Sequence, residues 1–273
     1  MPQSDSPVDP PPSPARGSLT REDGTVLAYY KTKPGKARTE NGREPPGLMF
    51  LGGFMSDMSG GKAQALEAYA AARGRAFLRF DYRGHGASSG RFEDATIGDW
   101  VGDALAMLDE RTEGPQILVG SSMGGWIMLL VALARPGRIA GLIGIAAAPD
   151  FTEDLIWARA TPEQRAALES IGYVDNPSAY NETPYRITRR LIEEGRNHLL
   201  LGGPIAVTCP VRLIHGLADP DVPWQTSRRL AEALASTDVE ITLVKGGGHR
   251  LSEPADLARL ERVIEALGKF SGS

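Results

Sequence analysis

The sequence predicts an α/β fold: a mostly parallel central sheet flanked by helices, with a helical insertion between two late strands. Three observations predict it. From residue 47 onward, short and nearly continuous apolar runs alternate with longer amphipathic segments. Such runs suit strands buried on both faces of a parallel sheet. Their alternation with helical segments implies right-handed crossovers that place helices on both sides. The rhythm then breaks for about 60 residues between 146 and 211, which carry helical signals and no convincing strand.

Taken in order, residues 1–18 hold six prolines with serine and aspartate and almost nothing apolar. They read as a disordered leader, because so little burial cannot offset the entropy of ordering. The leader lacks the apolar run of a secretory signal, and Asp5 and Asp9 argue against a transit peptide. A cytoplasmic location is therefore expected. Residues 19–31 have a hairpin-like pattern that could add antiparallel edge strands, and 33–46 read as an exposed loop rich in charge, glycine and proline. Strands are expected at 48–51, 76–80, 116–119, 139–146, 211–214 and 240–244. Helices are expected at 62–73, 97–110, 123–134, 224–235 and 255–270. Thr96 with Asp99 forms a capping-box pattern for the second helix. The core is thus 19–149 plus 206–270, and the insertion, 150–205, is placed to act as a cap. Within it, Thr161-Pro162-Glu163-Gln164 and Thr183-Pro184 both read as helix starts.

The 273 residues are 41% hydrophobic with a net charge of −4. That composition supports a sizeable core and gives no electrostatic reason to expect nucleic acid or an anionic membrane as partner. The longest apolar run is the nine residues 126–134, where a span needs roughly 20, so stable membrane insertion is not expected. One cysteine, Cys209, cannot form an internal disulfide or a multi-thiolate metal site. Beside Pro210 it reads as inert. No metal and no cofactor is expected.

The chemistry concentrates in Gly120-Ser121-Ser122-Met123-Gly124, a G-x-S-x-G pattern that follows an apolar strand and opens an apolar helix. A serine on so sharp a strand-to-helix turn presents its hydroxyl to a cleft beside free helix N-terminal amides. The glycines flank Ser122 symmetrically, so Ser122 is the candidate nucleophile and Ser121 is not. A hydroxyl needs a base. Of the four histidines, His249 follows the last strand and a Gly246-Gly247-Gly248 run, where the order nucleophile, acid, histidine would put it. After the strand 211–214, Asp219 and Asp221 both qualify as the orienting acid. Asp219 comes first after the turn and is preferred, and His215, at the end of a buried strand, reads as structural. The oxyanion donors expected are the backbone amides of Met123 and of Phe54, the latter after Gly52-Gly53.

With these residues in hand, the chain resembles an α/β-hydrolase over about residues 19–270. Asp81-Tyr82-Arg83-Gly84-His85-Gly86-Ala87-Ser88 matches a turn that is structural in that family. Residues 114–126, 209–224 and 236–240 are similar to the mitochondrial abhydrolases that act as palmitoyl-protein thioesterases and acyl-glucuronide esterases. The resemblance implies a Ser122, Asp219, His249 triad cleaving small-molecule or acyl-protein esters and thioesters. Gly52 departs from the family, many of whose members have histidine there, and 150–205 matches least. The insertion's Phe151, Leu155, Ile156, Trp157, Tyr173, Tyr180, Tyr185 and Ile187 would suit an acyl chain, with Trp157 and Tyr185 the candidates for substrate binding. They would equally suit packing of the insertion onto the sheet. Arg186, Arg189 and Arg190 read as a solvated helix face. Two other functions stay open: the same triad used on C–C or peptide bonds, or a non-catalytic binding protein on this fold. Serine at 122 disfavours dehalogenase and epoxide hydrolase chemistry, where relatives carry aspartate.

Overall fold

The computed structural model describes residues 14–35, 44–176 and 184–270. Among the described residues ten strands lie in two sheets. The main strands are β1 (Ala15–Thr20), β2 (Val26–Thr32), β3 (Gly47–Leu51), β4 (Phe77–Phe80), β5 (Gln116–Ser121) and β6 (Ile139–Ile145). A small hairpin, β7 (Tyr173–Asn176) and β8 (Tyr185–Thr188), precedes β9 (Val211–Gly216) and β10 (Val239–Val244). The large sheet runs β1-β2-β4-β3-β5-β6-β9-β10. From β4 to β10 every pairing is parallel, while β1 and β2 pair antiparallel with each other and β2 with β4. The mostly parallel sheet and its antiparallel edge hairpin are as the sequence predicts.

The helices are α1 (Gly61–Ala72), α2 (Ile97–Arg111), α3 (Met123–Ala134), α4 (Pro162–Ser170), α5 (Arg189–Gly195), α6 (Gln225–Ala233) and α7 (Pro254–Phe270). Strand alternation divides the core between the two faces. Leu48, Phe50, Ile117 and Val119 pack with Leu66 of α1 and Ile264 of α7. Met49, Leu51 and Leu118 pack on the other face with Trp100 of α2 and with Trp126 and Ile127 of α3. Both expected capping boxes are present, Thr96–Asp99 on α2 and Thr161–Gln164 on α4. The turn 81–88 is a packed corner. Asp81 accepts from the backbone N–H of Met58 (2.6 Å) and Ala87 (2.8 Å), and Arg83 grips the buried Asp103 at 2.8 Å.

Three expectations need correction. Residues 15–18 are not leader but the start of β1, because edge pairing with β2 supplies in backbone hydrogen bonds what these residues lack in apolar content. The rest of that leader, 1–13, lies outside the described residues. The insertion is not purely helical: β7 and β8 pair antiparallel, joined side to side by the two-pronged Arg186–Asp175 ion pair at 2.8 and 2.9 Å. Arg186 is therefore on a strand and not on a helix face. No helix opens at Pro184; α5 begins after Thr188, whose hydroxyl accepts from the Leu191 N–H at 3.1 Å. Tyr180, Thr183 and residues 36–43 lie outside the described residues.

Candidate active site

Ser122 sits between β5 and α3 at φ 54°, ψ −118°, a left-handed conformation that costs a non-glycine residue of order 1–3 kcal/mol. Its surroundings hold it there. Its N–H donates to Ile145 O (2.9 Å), and its carbonyl accepts from the N–H groups of Gly125 (2.8 Å) and Ala148 (3.1 Å). Gly124 is needed for a close approach: a Cβ there would fall 2.6 Å from Gly52 O and still closer to Leu51 O. The first turn of α3 therefore lies directly on the loop after β3. On that loop a Cβ at Gly53 would stand 3.4 Å from Ser122 Cβ. Phe54 lines the same cavity as Ser122 and Met123 opens α3 beside it. The two expected oxyanion donors are thus carried by backbone that converges on the serine.

His249 comes from the loop between β10 and α7, and Asp219 from the loop after β9. Two backbone bonds tie these loops, Leu217 N–H to Val244 O and Ala218 N–H to Gly247 O, each 2.9 Å. His249 Nε2 lies 3.0 Å from Ser122 Oγ, and its Nδ1 lies 2.8 Å from Asp219 Oδ2. The structure brings Ser122, His249 and Asp219 together as one hydrogen-bonded chain from residues up to 127 positions apart. Asp219 Oδ1 accepts from the N–H groups of Asp221 and Val222, each at 2.9 Å. Burial alone would raise the Asp219 carboxyl, but donors from His215, His249 and Val222 hold it well below the usual carboxylate range. Asp221, the other acid considered, lends its backbone to Asp219. Its carboxylate, with Asp219 and His249, brings one donor atom each within 4.8 Å. Both His249 nitrogens are already engaged with Asp219 and Ser122, which disfavours a cation at that cluster.

The cleft over Ser122 is a cavity of about 650 Å³. Phe54, Phe151, Leu155, Ile156, Tyr185 and Ile187 form its apolar wall, and Asp57, Lys62, Arg159 and Arg250 part of its charged rim. Phe54 anchors that wall, with its ring edge-on to Phe92, Trp100, Phe151 and Tyr185 at 4.8–6.0 Å. Lys62 Nζ donates to the Arg250 carbonyl, and burial pulls its ammonium down to about 8. Tyr185 lies where substrate binding would need it. Trp157 does not: it lines a separate cavity of about 180 Å³ with Leu168 and Ile192. There it is flanked by the Arg165 and Arg196 guanidiniums, each 5.0 Å from the ring centre. That correction follows from the π-helical turn Thr152–Trp157, which points Leu155 and Ile156 at the cleft and carries Trp157 past it.

His85 stays out of the cleft. Its Nδ1 faces Arg83 O at 3.2 Å, with the ring against Tyr82, Phe92 and Trp100, and burial drops it to about 4. Cys209 is pushed up to about 11 by burial, as befits an inert thiol. Lys62 and Asn176 line the cleft although nothing local in the sequence marks them. Lys62 reads as a helix lysine, and Asn176 belongs to a hairpin the pattern did not disclose.

Residues 48–260 match the Alpha/beta hydrolase family. The chain is 44% identical to the mouse mitochondrial palmitoyl-protein thioesterase ABHD10, over 91% of this chain and 81% of that protein. It is 25% identical to a monoacylglycerol lipase of Mycolicibacterium smegmatis, over 81% of this chain and 87% of that protein. The solved structure of mouse alpha/beta hydrolase domain-containing protein 10 superposes with a TM-score of 0.83 at 42% identity, covering 93% of this chain and 98% of that one. The expected cytoplasmic location does not stand against these findings. Relatives 42–44% identical are named mitochondrial, and two acidic residues near the N-terminus do not decide the compartment. No helix among the described residues is long and apolar enough to cross a membrane.

Proposed function

The chain belongs to the alpha/beta hydrolase family, and from that premise we propose that it cleaves carboxylic esters or thioesters through Ser122, His249 and Asp219. The observation that carries the reading is the chain of hydrogen bonds at 3.0 and 2.8 Å linking the three. His249 Nε2 takes the Ser122 proton as Oγ attacks the acyl carbon. Asp219 holds Nδ1–H, fixing the tautomer and stabilising the imidazolium. The amides of Phe54 and Met123 receive the developing oxyanion. Collapse expels the alcohol or thiol, protonated by His249. A water deprotonated by the same nitrogen then releases the acid and restores Ser122. Residues 150–205 act as the cap, and the apolar wall of Phe151, Leu155, Ile156 and Tyr185 takes an acyl chain. The palmitoyl-protein thioesterase relatives support a fatty acyl thioester as substrate class, with small-molecule esters beside it.

Intact mass after incubation with a fluorophosphonate tests this on the parent protein and on Ser122→Ala. One adduct on the parent and none on the variant is the expected result, with turnover of the variant reduced by about four to six powers of ten. An acyl-chain series of thioesters against oxygen esters then sets the leaving group and length. A folded parent that takes no adduct, or a Ser122→Ala variant of near-parental turnover, would overturn the assignment.

A further inference from the structure

A second histidine reaches the acid. His215, in the C-terminal half of β9, has no exposed surface. Its Nε2 lies 3.0 Å from Val222 O and 3.3 Å from Asp219 Oδ2. The latter is the same oxygen that meets His249 Nδ1. A carbonyl oxygen only accepts, so Nε2 carries a proton. In the singly protonated ring, Nδ1 then accepts from Ser227 Oγ, 2.7 Å away on α6 and itself buried. Ser227 thereby selects the tautomer whose N–H donates to Val222 O and lays the positive edge of the ring beside Asp219 Oδ2.

We infer that His215 is a positioning residue for the hydrolysis, holding Asp219 Oδ2 in line with His249 Nδ1 while Ser227 fixes its tautomer. The inference rests on the proposed roles of Ser122, His249 and Asp219. A carboxylate offers about four lone-pair directions. Asp219, with its side chain wholly buried, fills two on Oδ1 with the N–H groups of Asp221 and Val222 and one on Oδ2 with His249, while the His215 ring edge stands 3.3 Å from that same Oδ2 with its proton directed at Val222 O. Without His215 the Val222 carbonyl loses its donor, so the residue whose N–H holds Oδ1 is less fixed, and Oδ2 loses the positive ring edge beside it and carries more charge toward His249. Orientation loosens, and the imidazolium gains stability. The first effect lowers kcat. The second moves the acid limb of the pH profile upward. The other charged groups that face this acid and His249 are Asp221 from the same loop, Arg250 beside His249, Lys62 from α1 and Arg159 from the insertion. All are retained in the variants below, so a displaced limb is assignable to the altered His215 ring.

The experiment compares His215→Phe, which keeps a ring and removes both nitrogens, with His215→Gln, whose terminal amide reaches the Nε2 position, and with Ser227→Ala. Each is measured for thermal midpoint, fluorophosphonate labelling rate and kcat and KM against pH. His215→Phe is expected to lose about 10- to 100-fold in kcat with KM little changed and to shift its acid limb upward. His215→Gln is expected to recover most of both effects. Ser227→Ala is expected to shift the limb in the same direction by less. Loss of activity that follows the thermal midpoint across all three variants, with the limb where the parent has it, would overturn the inference. If His215→Phe does not fold, a parental limb in Ser227→Ala does so by itself. Failure of the parent to take the label strikes the Ser122 assignment instead, so the two failures are distinguishable.

Discussion

Gly124→Ala puts one methyl group between the nucleophile turn and the loop expected to supply an oxyanion donor. The added Cβ would lie 2.6 Å from Gly52 O, 2.7 Å from Leu51 C and closer still to Leu51 O, where carbon and oxygen ordinarily keep about 3.3 Å or more. All of these atoms are backbone, so no side chain can swing away. α3 and the loop after β3 must separate by about 1 Å. Overpacking of this kind costs about 1–3 kcal/mol, or several degrees of thermal midpoint in a chain of this size. The functional cost is larger than the structural one, because the displaced loop carries the Phe54 N–H. A misplacement of about 1 Å, or loss of one oxyanion donor, costs on the order of 10²-fold. kcat/KM measured on an activated ester, with a melting curve, gives both quantities. Gly137→Ala is the control, since its Cβ meets nothing within 4 Å and its φ is not positive. A Gly124→Ala variant with a parental melting point and kcat/KM within about threefold of the parent would show that the two backbones are not in the contact described.

The remaining predictions concern acid stability and the insertion. His85 is held at about 4 in the folded chain against 6.5 for an ordinary histidine, so the unfolded chain binds more protons between those values. Its contribution is complete above pH 6.5, falls as pH drops toward 4 and amounts to about 3 kcal/mol. Denaturant midpoints across that window are expected to fall more steeply for the parent than for His85→Gln; parallel profiles would refute the assignment. Trp157→Ala is expected to lower the thermal midpoint while leaving kcat/KM within about threefold, because the ring packs among insertion side chains away from the cleft. A large rise in KM for long acyl chains would return Trp157 to the substrate site.

The elements of the main sheet and its helices were legible in the sequence because their signals are local. Apolar runs such as 48–51 and 117–119 cannot be exposed whatever lies beside them. The capping boxes at Thr96 and Thr161 complete themselves within four residues, and the glycines around Ser122 encode a turn too tight for other residues. The candidates Ser122, Asp219 and His249 were readable for the same reason, each standing at the end of a recognisable strand. What the insertion does was not local. The segments 173–176 and 185–188 become strands by pairing with each other, and residues 15–18 become one by pairing with β2; a window along the chain contains neither partner. Whether Trp157 or Ile156 faces the cleft depends on the pitch of one π-helical turn, an offset that hydrophobicity does not record. His215 reads as a core residue on a buried strand, and so it is. Only the folding of the loop after β9 back toward that strand sets its Nε2 within 3.3 Å of Asp219. Residue type and short-range spacing thus determined which groups are available for chemistry, while the long-range closure of backbone on backbone decided which of them share a proton.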